Sequence, residues 1–189
     1  RTPRARANKK GGLNKLNPYE LLDVLYKDIE QKNFLNLNSI DEVILGCVTQ
    51  HGEQAGNIAK SSALFSGYPD SISGLTVNRF CSSSLDAINF GHLKIQSQQA
   101  DNVIAGGVEM MSRVPMLSDE AAIWNDIALA AQAKIFLMGS GADLIAKRRL
   151  DGGPGLGLRH VSLQKSNLDC VGASEDFLCH GMLPAIEKE

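Results

Sequence analysis

Net charge is almost absent from this sequence: 19 Lys and Arg face 21 Asp and Glu, leaving −2 at pH 7. That balance supplies no overall drive towards nucleic acid or an anionic membrane surface. Long apolar runs are lacking too, and none approaches the roughly 20 residues needed to cross a bilayer. No secretory signal is visible, since Arg1 to Lys10 is basic but no apolar segment follows it. Cysteine and histidine are sparse. Cys47, Cys81, Cys170 and Cys179 have no paired spacing of the zinc-site kind, and His51, His92, His160 and His180 make no helical pair at ligand spacing. We therefore expect no metal, and reduced thiols in a cytosol-like compartment rather than disulfides. What remains, 43% hydrophobic and 21% charged residues in a chain of 189, describes a globular protein able to bury one good core.

Taken in order, the chain alternates between two periodicities. Asn17-Pro18-Tyr19-Glu20 predicts a helix start: Asn17 can cap, Pro18 suits the first helical position and Glu20 completes a capping box. Leu22, Leu25, Tyr26 and Ile29 then fall on one helical face. Glu42 to Val48 is a continuous apolar run, as in a strand covered on both faces. Ala55, Ile58, Ala59, Ser62 and Ala63 mark a second helix with a narrow, small-residue face, ended by Gly67 and Pro69. Ile72 to Phe80 and Asn102 to Val108 are further strands, and Ala121 to Lys134 is expected to be helical. Between those strands, Leu85, Ala87, Ile88, Phe90, Leu93 and Ile95 surround a helix axis, the mark of a helix buried on several sides. Alternating strands and helices point to an α/β fold with a largely parallel sheet and right-handed crossovers. From Asp151 the pattern fails. Gly152 to Gly157 has neither a Gly-Lys-Ser/Thr nor a Gly-x-Gly-x-x-Gly element, so it reads as a loop rather than a phosphate cradle.

The chemistry concentrates in Thr76-Val77-Asn78-Arg79-Phe80-Cys81-Ser82-Ser83-Ser84-Leu85-Asp86-Ala87-Ile88. A strand-like run turns abruptly into a helical one, with Cys81 at the junction. One of the three serines can cap the helix through its hydroxyl. A cysteine beside a helix N-terminus lies where unpaired N–H groups and the helix dipole favour thiolate, the nucleophilic form. On the residues alone, the reading of Cys81 as a small buried hydrophobe that ends a core strand is the favoured one.

Longer stretches favour the nucleophile. "VNRFCSSSLDAI" followed by "NVIAGGVEMMSRVPM", with "GCVTQHGEQAGNIAK" upstream and "RTP" at the start, resembles the thiolase family of acetyl-CoA acyltransferases, in the family's order over about Arg1 to Leu150. The resemblance implies a thiolase-like fold, layered α-β-α-β-α, of which only the N-terminal half and part of the loop region are represented. Residues 1–115 would be that α/β half without its first strand, 116–150 the start of the substrate and CoA loop region, and 151–189 unassigned. It implies that Cys81 accepts the acyl group, that Met138 lies against the acyl part of the substrate, and that coenzyme A enters as a substrate rather than a resident cofactor. Leu137 stands where the family carries a histidine. The family's Asn-Glu-Ala-Phe, Gly-His-Pro and Cys-x-Gly-x-Gly motifs do not occur in these 189 residues. We therefore expect a piece of a longer cytoplasmic enzyme, a homodimer or homotetramer acting on acyl-CoA. We also expect two unpaired sheet edges where the strand before "RTP" is missing. Two alternatives stand beside this: a ketosynthase-like condensing enzyme, and a non-catalytic scaffold that kept half the fold.

Overall fold

Three five-residue runs lie side by side: Glu42–Gly46 (β1), Ser73–Val77 (β2) and Val103–Gly107 (β3) form one parallel sheet in the order β2-β1-β3. The computed structural model describes residue 2 and residues 10–33, 36–135 and 138–150. The observed strands are two to four residues shorter than the apolar runs that announced them, because residues at the ends of the runs, chiefly beyond each carboxyl end, turn away into loops. β1 and β3 are buried at every position, which explains their unbroken apolar character. β2 is an edge strand and only partly covered.

The alternation of side chains along β1 assigns the two faces. Val43 and Leu45 pack with Leu22, Tyr26, Ile58 and Ala59, from the helices Pro18–Asn33 (α1) and Ile58–Phe65 (α2). Ile44 points the other way, towards Ala87 and Ile95 of Ser83–Gln96 (α3) and towards Val103. The connection from β1 through α2 steps one way along the sheet, and the one from β2 through α3 steps back across it. Right-handed crossovers therefore put α2 and α3 on opposite faces, as found. Each Ile or Leu so buried contributes roughly 1.5–3 kcal/mol by leaving water.

Local signals hold the helices. The capping box forms as its residues predict: Glu20 Oε2 accepts from Asn17 N–H at 2.7 Å, and Asn17 Oδ1 accepts from Glu20 N–H at 2.9 Å. The apolar face of α1 buries Leu22, Leu25, Tyr26 and Ile29, joined by Leu21. Tyr26 meets Tyr68 edge-to-face at 5.4 Å, and its hydroxyl lies 2.9 Å from Ser62 Oγ. α2 begins later than expected, with Ala55 outside it in the turn that follows a short 3-10 segment, Gly52–Gln54. Its cap, Asn57, has a left-handed backbone (φ 54°) and donates from Nδ2 to the Gly74 carbonyl at 2.9 Å. At the far end of α3, Lys94 Nζ is paired with the Glu42 carboxylate at the start of β1.

Three expectations are corrected. Where a missing strand was to leave unpaired edges, β1 bonds directly to β3, Glu42 opposite Val103 and Gly46 opposite Gly107. Unpaired buried backbone groups cost about as much as a lost hydrogen bond, and this closure satisfies them. The second is α3, which is buried along Ala87, Gly91 and Ile95, whereas Leu85, Phe90 and Leu93 are exposed among the described residues. Only one face of the helix meets a sheet. The third is the helix expected over Ala121 to Lys134, which is split into Ala122–Asn125 (α4) and Ile127–Gln132 (α5). Asp126 is extended there, and its side chain caps α5 by accepting from Leu129 N–H at 3.0 Å. These helices and Met138–Leu150 (α6) belong to a second compact unit that begins at Glu120. No described helix is long and apolar enough to cross a membrane.

Candidate active site

All three strands run the same way, so the residues after Gly46, Val77 and Gly107 leave the sheet at one edge, its carboxyl end. In open parallel sheets that edge is where ligands collect. The N-terminus of α3 rests directly on it. A Cβ on Gly46 would overlap the Ser83–Ser84 peptide, and one on Gly107 would overlap Ser84 Oγ. Glycine at both strand ends is what lets the helix start so close to the sheet.

Cys81 lies two residues before α3 and is exposed, whereas Cys47, just past β1, is buried. Phe80 precedes it with φ +46°, a left-handed backbone that costs a non-glycine residue roughly 1–2 kcal/mol. The reading of the serines is corrected. Ser82 occupies the cap position, but its side chain makes no capping bond. Ser83 works backwards instead: its Oγ accepts from Arg79 N–H at 2.8 Å and donates to the Phe80 carbonyl at 2.6 Å, tying the turn that carries Cys81. The N–H groups of Ser84 and Leu85, in the first turn, have no partner among the described residues. Arg79 pairs with Asp86, but its exposed side chain keeps that contribution within about 0–1 kcal/mol.

A polar knot stands beside the turn, and the sequence did not reveal it. The Glu109 carboxylate, just beyond β3, accepts from Val48 N–H at 2.8 Å and from Gln54 Nε2 at 2.9 Å. Gln54 is wholly buried, donates to the Thr49 carbonyl at 2.9 Å, and accepts from Met110 N–H at 2.5 Å. Asn78 joins this knot to the cysteine turn through Val48. Further out, Arg113 pairs with Glu53 and donates to the Asn14 carbonyl at 3.0 Å. The Arg113 hydrogen bond holds the Glu53 carboxyl below its ordinary range. Met138, the other residue marked by the sequence, is exposed at the first position of α6 in the second unit. Leu137 and residues 151–189 lie outside the described residues. Among the described residues no group of three His, Cys, Asp or Glu side chains could hold a metal ion.

Fold and site together define an α/β protein that offers a thiol at the carboxyl edge of a parallel sheet. Comparison with known proteins narrows that class. The profile of the thiolase N-terminal domain matches residues 1–147. The 3-oxoadipyl-CoA/3-oxo-5,6-dehydrosuberyl-CoA thiolase of Escherichia coli is 39% identical over 137 residues, which cover 72% of this chain and 33% of that protein. The 3-ketoacyl-CoA thiolase of Colwellia psychrerythraea is 41% identical over 152 residues, 78% of this chain and 38% of that one. A crystal structure of the Bacillus anthracis acetyl-CoA acetyltransferase superposes with a TM-score of 0.54 at 35% identity, covering 59% of this chain and 28% of that chain. The chain belongs to the thiolase family, through its N-terminal domain, and has the thiolase-like α/β fold. It spans about a third of the length of the relatives it matches.

Proposed function

We propose that this chain is the N-terminal part of a longer acyl-CoA thiolase, in which Cys81 carries the acyl group. The observation that carries the reading is the exposed thiol on a hydrogen-bonded turn, at the carboxyl edge of the sheet and the mouth of α3. The Cys81 thiolate attacks the 3-keto carbon of a 3-oxoacyl-CoA, forming a C–S bond and an oxyanion. Collapse of that adduct breaks the C2–C3 bond. Its electron pair goes to C2, which takes a proton and leaves as acetyl-CoA. The thiol of a second CoA then attacks the acyl-cysteine, releases the shortened acyl-CoA and returns the cysteine. Run backwards, the same steps condense two acyl-CoA molecules. Backbone N–H groups at the start of α3 are suited to steady the oxyanion, a kind of contact whose loss costs roughly 10²–10³ in rate. The acid/base group and the remaining oxyanion donors would come from the rest of the protein.

In this reading coenzyme A is a substrate, Met138 lies along the acyl chain, and the enzyme works in the cytoplasm. The outer edge of β2 is unpaired among the described residues and suits a second copy of the chain, giving a homodimer or a pair of dimers. The test uses the complete protein. Incubation with a 3-oxoacyl-CoA, free CoA withheld, should leave an acyl mass on the peptide holding Arg79-Phe80-Cys81, and Cys81→Ser should abolish turnover while the protein stays folded. An adduct on another cysteine, or a serine variant that keeps most of the activity, sinks the reading.

A further inference from the structure

We propose that Asn78 is a positioning residue for the Cys81 thiol, tying the turn that presents it to the end of β1. The proposal rests on the reading of Cys81 as the nucleophile. Both ends of the Asn78 amide are engaged, on different segments. Nδ2 donates to the Val48 carbonyl at 3.0 Å, and Oδ1 accepts from Phe80 N–H at 2.8 Å. Val48 is itself fixed through its preceding peptide, its N–H donating to Glu109 at 2.8 Å. Glu109 is held in turn by the buried Gln54. A continuous line of hydrogen bonds therefore runs from the exit of β3, across the exit of β1, to the residue before Cys81.

Phe80 requires such a restraint. Its left-handed backbone is unfavourable by itself, and the residue is 60% exposed, so packing does little to hold it. What keeps φ at +46° is hydrogen bonding from both sides: Asn78 on its N–H, and Ser83 on its carbonyl. Release of the Asn78 side frees the Phe80 peptide to relax towards negative φ, which swings the Cα of Cys81 away from the helix mouth. Asp in place of Asn78 keeps the acceptor for Phe80 but sets a carboxylate against the Val48 carbonyl, so only half the clamp survives.

The experiment compares Asn78→Ala and Asn78→Asp with wild type in the complete protein. Three readouts are taken: steady-state thiolysis, the rate of Cys81 alkylation by iodoacetamide, and thermal unfolding. The expected result for Asn78→Ala is a roughly ten- to hundred-fold fall in kcat, the scale of a 1 Å misplacement of reacting atoms. KM should stay within about twofold, because substrate binding is not what the clamp provides. The alkylation rate should change with kcat. Asn78→Asp should lose less, and it decides the matter if the alanine variant does not fold. A kcat per folded molecule equal to wild type in the variant that folds overturns the proposal, as does a loss confined to KM. If wild-type enzyme keeps its activity after Cys81 is alkylated, the nucleophile assignment has failed instead.

Discussion

Replacing Gly46 by alanine tests whether the closeness of α3 to the sheet is what places Cys81. A Cβ at this position would come 2.6 Å from the Ser83 carbonyl oxygen and closer still to the Ser83–Ser84 peptide. Ordinary van der Waals contact begins near 3.4 Å, and every obstructing atom is backbone. No side chain can swing aside, so the start of α3 must retreat by roughly 1.1 Å to clear the nearest atoms at 2.3 Å, and overpacking of this kind costs about 1–3 kcal/mol. The turn moves with the helix, because Ser83 holds both Arg79 and Phe80. On the reading of Cys81 as the nucleophile, a shift of that size corresponds to a loss approaching 10²-fold in turnover. Gly91→Ala is the control. Its Cβ would stand 3.2 Å from Val103 Cγ1, a side-chain atom two helical turns from the site, and it gains about 1 kcal/mol of helix propensity. Urea unfolding and thiolysis on the complete protein should show Gly46→Ala less stable and slow, and Gly91→Ala near wild type in both. Wild-type turnover in a folded Gly46→Ala variant would refute the idea that the glycine sets the position of the thiol.

Other perturbations address separate parts of the argument. Limited iodoacetamide labelling should mark Cys81 well before Cys47, which is 1% exposed in the core; equal labelling would contradict the packing at the end of β1. Asn17→Ala removes one bond of the capping box and should cost about 1 kcal/mol in denaturant unfolding. An unchanged midpoint would mean that α1 does not depend on its cap. Burial, then the neighbouring Glu30, pushes the Tyr68 hydroxyl above its ordinary pKa of 10.0. The folded state therefore holds that proton more tightly than the unfolded state. Its contribution to stability is complete below about pH 10 and is lost as pH rises beyond it. Tyr68→Phe should flatten that alkaline loss, and a stability profile unchanged above pH 10 would exclude the group as its source.

The parts of this molecule that were legible in the sequence are those decided by neighbours along the chain. Asn17 and Glu20 are three residues apart, and their reciprocal bonds follow from that spacing. The face of α1 and the placing of Cys81 between a strand and a helix are likewise local. The choice among three serines was not legible, because it depends on the left-handed turn at Phe80, which brings Ser83 rather than Ser82 onto the Arg79 and Phe80 peptides. Glu109 was seen only as a letter in a family-like stretch. Its partner Val48 is 61 residues away, and nothing local shows that β1 and β3 lie side by side. The apolar girdle of α3 was read correctly as composition and incorrectly as burial, since Leu85 and Leu93 are both more than half exposed.

The attachment of α3 at both ends gives it a mechanical character. Glycine contacts and the Ser83 bonds seat its N-terminus, and the Lys94 pair with Glu42 fixes its last turn to the opposite end of β1. Fourteen residues of helix make a strut about 21 Å long. Rotating the helix about its axis or sliding it along the sheet would break the seat and the pair together, so its two ends are held in one register with β1. The distance between that seat and that pair along β1 therefore sets where the turn carrying Cys81 stands over the sheet.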